Sequence, residues 1–259
     1  MNGKLDVARV FERIFEIYRD QFTLLIPAAL VVFVPVAILS GLIYAGDVGI
    51  LGALIVAAIG TIATYWFQGM VVEAARDILD GRRDHSVGSL LRAVVPVLGP
   101  LIVAGILAGI AIGIGLLLLI VPGLFLLTIW AVLAPVIVIE RKDAMSSFGR
   151  SRELVRGHGW QVFGLLIVVL VMVILLSAVL AIIAYLLSDT AVGSAIASLI
   201  SNVTIVPFFS ITMATLYFAL RDAHGEAPVP ALGERSYGAD GGFAPPQAPA
   251  SERPDIGLD

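Results

Sequence analysis

Arg150, Arg152 and Arg156 lie within two helical turns of one another, and Trp160 follows four residues later. Each base near an anionic surface contributes about 1 kcal/mol, and tryptophan settles at the headgroup level of a bilayer. The group reads either as an anchor that fixes helix depth or as a site for anionic headgroups. A second group, Ser198, Asn202 and Thr204, falls in an apolar stretch that also holds Ser210, Thr212, Thr215 and Pro207. Pro207 lacks a backbone donor and frees a carbonyl one turn earlier, near Val203. Hydroxyls and the Asn202 amide can satisfy such freed groups or bond neighbouring helices; the same face could instead line a polar cavity for a lipid or solute. Third, Gly105, Gly109 and Gly113 recur every four residues with Ala104 and Ala108 beside them. That spacing forms a groove where another helix, from this chain or a second copy, can approach closely.

Nothing comparable points to catalysis, a cofactor or a metal. The chain has no cysteine, which removes thiol nucleophiles, thiolate metal sites and disulfides. Its histidines, His85, His158 and His224, are far apart in sequence, and neither an HExxH metal motif nor a phosphate-binding P-loop is present. Ser194 has no membrane-buried base to activate it. The apolar stretches contain no ionisable residue, so the proton and ion relays of pumps have no material to work with. The expected protein is not an enzyme.

The elements that must carry these residues are membrane spans. The chain is 59% hydrophobic and only 14% charged, against roughly 25% charged in soluble domains. A spanning helix needs about 20 mostly apolar residues. Six stretches meet or approach this, at 22–44, 48–72, 94–120, 124–139, 160–187 and 191–220. The third and fourth are divided at Pro122 and Gly123, a stop and turn signal. The predicted fold is an all-α integral membrane protein of six transmembrane helices in three hairpins, each preceded by a cytoplasmic interfacial segment.

Charge sets the orientation, because Lys and Arg near span ends are retained on the cytoplasmic side. All 16 basic residues fall before the first span or after the second, fourth and sixth. The opposite loops hold Asp47 and Asp189 and no base. Both termini are therefore expected in the cytoplasm. The first 21 residues carry charges of both signs and the following run is long enough to span, so the first helix is expected to serve as an uncleaved anchor.

Before the first span, Val10, Phe11, Ile14, Phe15 and Tyr18 share one helical face and charged residues the other, the pattern of an interfacial helix. Shorter echoes precede the other hairpins, at 87–94 with Leu90 and Leu91, and at 144–155 with Met145, Phe148 and Val155. They suggest a threefold repeat of interfacial helix plus hairpin. The membrane domain is placed at 1–221. Residues 222–259 hold six prolines, six glycines, seven acids and two arginines, a composition expected to form a disordered acidic tail. With an acidic tail on a near-neutral body, nucleic acid is not an expected partner.

Ile120 to Leu124 (Ile-Val-Pro-Gly-Leu), Ala134 to Glu140 (Ala-Pro-Val-Ile-Val-Ile-Glu), Gly149 to Gly157 (Gly-Arg-Ser-Arg-Glu-Leu-Val-Arg-Gly) and Trp160 form a series. It resembles the membrane domain attached to some bacterial glycerophosphodiester phosphodiesterases and the stand-alone bacterial membrane proteins similar to it. The likeness is sharpest over residues 120–164. It implies a helical inner-membrane domain, not phosphodiesterase activity, which in two-part members belongs to a soluble barrel of about 250 residues. The expected function is non-enzymatic binding of lipid, including anionic phospholipid, or of a membrane-protein partner. The alternative is an uncoupled small-solute or lipid transporter using the polar face of the sixth span.

Overall fold

The computed structural model describes residues 7–46, 49–79, 86–187 and 191–226. Among them the chain forms eight helices and no strand: α1 Val7–Ala45, α2 Gly49–Leu79, α3 Val87–Leu118, α4 Ile120–Ile129, α5 Leu133–Glu140, α6 Ala144–Val155, α7 Gly159–Leu187 and α8 Ala191–Ala223. Six stretches are long and apolar enough to cross a membrane: Leu24–Ile43, Gly49–Arg76, Val87–Leu118, Ile120–Glu140, Gly159–Ile182 and Val203–Ala223. The protein is an all-α, multi-pass membrane protein. Its outer surface is correspondingly apolar: Leu54, Leu117, Leu175 and Ile182 are each at least 60% exposed, a surface that water would penalise and lipid chains solvate. Asp47, Asp189, Arg82, Arg83 and His85 lie outside the described residues.

The three hairpins form as neighbouring pairs, α1 with α2, α3 with α4 and α7 with α8, and α8 also packs against α1 and α2. The last span is the hub. Within an 18-residue stretch of it 56% of residues are buried, against 17–39% in the corresponding stretches of the other five, and its Ile211, Ala214 and Leu216 lie inside the bundle.

The surface segments differ from expectation. Only the third is a separate helix, α6. The first runs unbroken into its span as the 39-residue α1, and the second into the 32-residue α3. The prolines near these junctions, Pro27 in α1 and Pro96 and Pro100 in α3, fall inside continuous helices and do not end them. The amphipathic side chains of 10–18 lie outside the described residues.

The turn between the third and fourth spans comes before Pro122 rather than at it. A single extended residue, Leu119 (φ −156°, ψ 134°), joins α3 to α4, and Pro122 sits in the first turn of α4. There its missing N–H is one of the donors that lacks an intrahelical partner anyway. The fourth span itself is broken at 130–132. Pro135 explains the break, since it has no N–H to donate to Ala131 and its ring crowds that carbonyl.

Such a short linker forces α3 and α4 into close contact, and this relocates the expected glycine groove. A Cβ on Gly115 would lie 2.9 Å from Gly123 Cα, and one on Gly123 would meet the backbone and side chain of Leu116. Gly105 does lie at a helix contact, under the ring of Tyr65 from α2. Gly109 and Gly113 do not: both are exposed, with nothing within 4 Å of an added Cβ. The four-residue pattern points outward beyond its first member because α4 contacts α3 through Gly115 instead.

The chain divides into a unit Met1–Ala227 and a second unit Pro228–Asp259, the latter outside the described residues. The body thus extends past the expected boundary at 221, held by contacts of Glu226.

Candidate functional site

One end of the bundle gathers the charged residues, and α6 organises it. Asp143 caps α6, its carboxylate accepting from Ser146 N at 3.1 Å; the Ser146 hydroxyl and amide hold that carboxyl below its usual range. Ser147, Ser151, Leu154 and Val155 face inward from α6. Ser151 donates to Ile129 O at 3.0 Å, satisfying a carbonyl left open where α4 ends. Phe148 meets Trp130 edge to face, with centroids 4.8 Å apart. The helix is therefore seated on the break made by Pro135.

Arg150 projects from this seat into a ring of carboxylates. Its Nε donates to Glu140 at 3.0 and 3.2 Å, one Nη to Glu153 at 3.2 Å and the other to Glu226 at 2.7 Å. Glu140 also accepts from Tyr217 at 3.0 Å and pairs with Lys142 at 3.2 Å. Glu226 further accepts from Arg221 at 2.9 Å. Three bases and three acids make the cluster neutral. Burial of Arg150 disfavours its charge, but the bonds from Glu226 and Glu140 outweigh that and push its pKa up. Burial likewise opposes ionisation of Glu226, and the bonds and charges of Arg150 and Arg221 bring its pKa down. A second cluster lies beside the first. Arg141, in the left-handed conformation (φ 57°) that ends α5, donates to Ala93 O at 2.6 Å and lies 3.7 Å from the buried Glu73, which also pairs with Arg76 at 3.5 Å.

The expected group of three arginines and Trp160 is therefore split. Arg150 is a part-buried structural cation, whereas Arg152 and Arg156 are exposed and their side chains have no partner among the described residues. Arg156 follows the last residue of α6 with an extended backbone (ψ 127°). Trp160, in the first turn of α7, is 86% exposed. Met145, expected on the apolar face of the third interfacial segment, is 70% exposed. Around α6 and the start of α7, Arg152 and Arg156 thus present free guanidinium groups and Met145 and Trp160 bare apolar side chains, a combination suited to the boundary between headgroups and hydrocarbon.

Directly behind Arg156 the chain turns through Gly157 (φ 90°) and His158 into α7. This turn and the start of α7 form one wall of a groove of about 980 Å³; residues of α4 from Val121 to Ile129 form the other. A smaller cavity of about 300 Å³ lies among α2, α3, α4, α5, α7 and α8, with Tyr65, Gln68 and Trp130 in an otherwise apolar wall. The His158 ring meets that of His224 edge to face at 5.4 Å, and His158 Nδ1 is buried with no hydrogen-bond partner in the described structure.

The polar stripe of the sixth span does not assemble as a cavity lining among the described side chains. Thr204 donates to Ile200 O at 2.7 Å, Thr212 to Phe208 O at 2.7 Å and Thr215 to Ile211 O at 2.8 Å. Each of these three hydroxyls is taken by its own helix, whereas the buried Ser210 hydroxyl has no hydrogen-bond partner in the described structure. The side chains of Ser198 and Asn202 lie outside the described residues. Thr61 and Thr64 of α2 bond their own helix too, at 2.7 and 2.8 Å, while Gln68 lines the cavity. Sequence reasoning missed the carboxylates Glu140, Glu153 and Glu226 as partners of Arg150, since they lie 10, 3 and 76 residues away. Only the i, i+3 spacing of Arg150 and Glu153 was visible in advance. Among the described residues no group of acidic or histidine side chains could hold a metal ion. Compared with known proteins, the chain matches no family model, no curated protein and no solved structure.

Proposed function

We propose that this chain is a non-enzymatic, multi-pass module of the bacterial inner membrane that binds anionic lipid at its charged end, with both termini cytoplasmic. The carrying observation is the division among the bases. Arg150, Arg221 and Lys142 are neutralised by carboxylates, while Arg152 and Arg156 remain exposed and unpartnered beside Trp160. Free guanidinium groups favour phosphate, which they bind through paired N–H donors. The resemblance of residues 120–164 to the membrane domain of bacterial glycerophosphodiester phosphodiesterases supports a helical inner-membrane role without supplying hydrolytic chemistry.

Native mass spectrometry from nanodiscs of mixed phosphatidylglycerol and phosphatidylcholine tests the reading. Phosphatidylglycerol should be retained in preference, and the double variant Arg152→Gln, Arg156→Gln should lose that preference while staying folded. Equal retention of both lipids by the parent, or turnover of phospholipid or glycerophosphodiester by purified protein, would overturn the proposal. Solute flux or lipid scrambling in proteoliposomes that Asn202→Leu abolishes would replace it with the transporter reading.

A further inference from the structure

We infer that the groove beside the α6–α7 turn and the cavity inside the bundle are two halves of one lipid site. The phosphate sits at the mouth by Arg152 and Arg156, and one hydrocarbon chain turns inward past Leu124 and Phe163. The headgroup half rests on the function proposed above; the chain half does not.

Continuity is the first support. Leu124 of α4 and Phe163 of α7 line both spaces, so the groove and the cavity meet at a common wall. The opening follows from the fold: α4 packs closely on α3 and only lightly on α7. The break at 130–132 sets α4 apart from α5, and the space between α4 and α7 is left to something other than protein.

Size and polarity then select the occupant. The groove, at about 980 Å³, is at the upper end of the range of about 300–1,000 Å³ usual for small-molecule sites. The cavity, at about 300 Å³, is about twice the size of an engineered apolar void that admits benzene. Its walls, including Leu101, Ile112, Leu166 and Val173, offer water few partners, so a filling by water is disfavoured. An empty void would forfeit dispersion contacts along its lining. In a bilayer the apolar filler at hand is a lipid chain. Charge decides the other end, because the residue just ahead of the groove wall is the unpartnered Arg156, with the unpartnered Arg152 one helical turn before it, and Trp160 lines the groove itself.

Trp130 lines the cavity and reports on it. In a background of Trp66→Phe and Trp160→Phe it is the sole indole, because the chain has three tryptophans. Phosphatidylglycerol with brominated chains, titrated into the protein in detergent, should quench Trp130 saturably. Ala134→Phe fills the cavity from α5 and should abolish the saturable quenching. Val173→Phe fills it from α7 and should do the same; it decides the matter if the Ala134 variant aggregates. Prior addition of glycerol phosphate, which has the headgroup chemistry without a chain, should not protect Trp130. Equal quenching in the parent and in whichever cavity variants fold would overturn the inference, as would protection by glycerol phosphate matching that of unbrominated lipid. If brominated phosphatidylcholine quenches as well as phosphatidylglycerol and the cavity variants abolish both, the chain site stands and the anionic reading of function fails.

Discussion

Replacing Arg150 by Gln would leave Glu140, Glu153 and Glu226 without the cation that lies among them. The Arg150 side chain is only 14% exposed, so the stranded carboxylates would be partly desolvated, and a loss of about 2–3 kcal/mol is expected. Arg152→Gln removes an exposed charge with no partner and should change stability by less than about 0.5 kcal/mol. Denaturant melts of the two variants in detergent make the comparison. The same cluster predicts an acid limit. Because the pKa of Glu226 is lowered in the folded protein, its contribution is complete above the unfolded value of about 4.3. That contribution is lost as pH falls through the lower folded value. Thermal stability should therefore be level from neutral pH to about 5 and fall below that, and Glu226→Gln should flatten part of the fall. An unchanged acid limb in that variant would show that Glu226 does not hold the end of α8 to α6.

Helix α3 is bound to α4 through a one-residue link, so its tolerance to substitution should be uneven along its length. Gly115→Ala and Gly123→Ala each place a Cβ against backbone of the facing helix, at 2.9 Å and closer, and backbone cannot give way as a flexible side chain can. Overpacking of this kind costs about 1–3 kcal/mol. Gly109→Leu and Gly113→Leu enter open space and should leave the monomer's stability close to that of the parent. Thermal melts of the four variants, with oligomer size measured alongside, separate two cases. If Gly109→Leu keeps its stability but changes the oligomer, the outward glycines serve contact between copies; if it melts early, a neighbour covers that face in the protein as purified.

At the scale of the molecule, charged residues of α2, α5, α6 and α8 meet at one end of the bundle, where Arg141 also donates to the Ala93 carbonyl of α3. The positive-inside rule would put that end in the cytoplasm. Single cysteines test this without background, since the native chain has none. Cysteines at Asp47 and Asp189 should react with an impermeant thiol reagent in intact cells, and cysteines at Arg83, Met145 and Ala239 should not. Met145, 70% exposed, is an accessible reporter on α6, whereas Ser147 is fully buried and would be silent on either side. Labelling of Met145→Cys from outside would reverse the orientation.

Membrane insertion, the number of spans and their pairing into hairpins follow from the sequence, because a backbone in hydrocarbon must satisfy its own hydrogen bonds and so needs long apolar helices. Finer local features were less legible: the fourth span is expected unbroken over 124–139, and the break ahead of Pro135 and the Asp143 cap of α6 emerged with the structure. Contact identity was not legible. Three arginines at helical spacing look equivalent along the chain, yet Arg150 faces Glu140 and Glu226 while Arg152 and Arg156 face outward. That difference depends on the angle at which α6 seats on the α4–α5 break. The glycine ladder shows the same limit. A four-residue repeat describes one stripe of a helix, but which part of the stripe meets a neighbour depends on where that neighbour is tethered, and the tether at Leu119 brings Gly123 to Gly115. The sequence alone thus determined that this protein spans a membrane through six apolar helical stretches, because length and hydropathy are properties of each segment. Tertiary structure decided which charges are neutralised, which glycines are in contact and where a groove opens, because those depend on the relative placement of segments far apart in the chain.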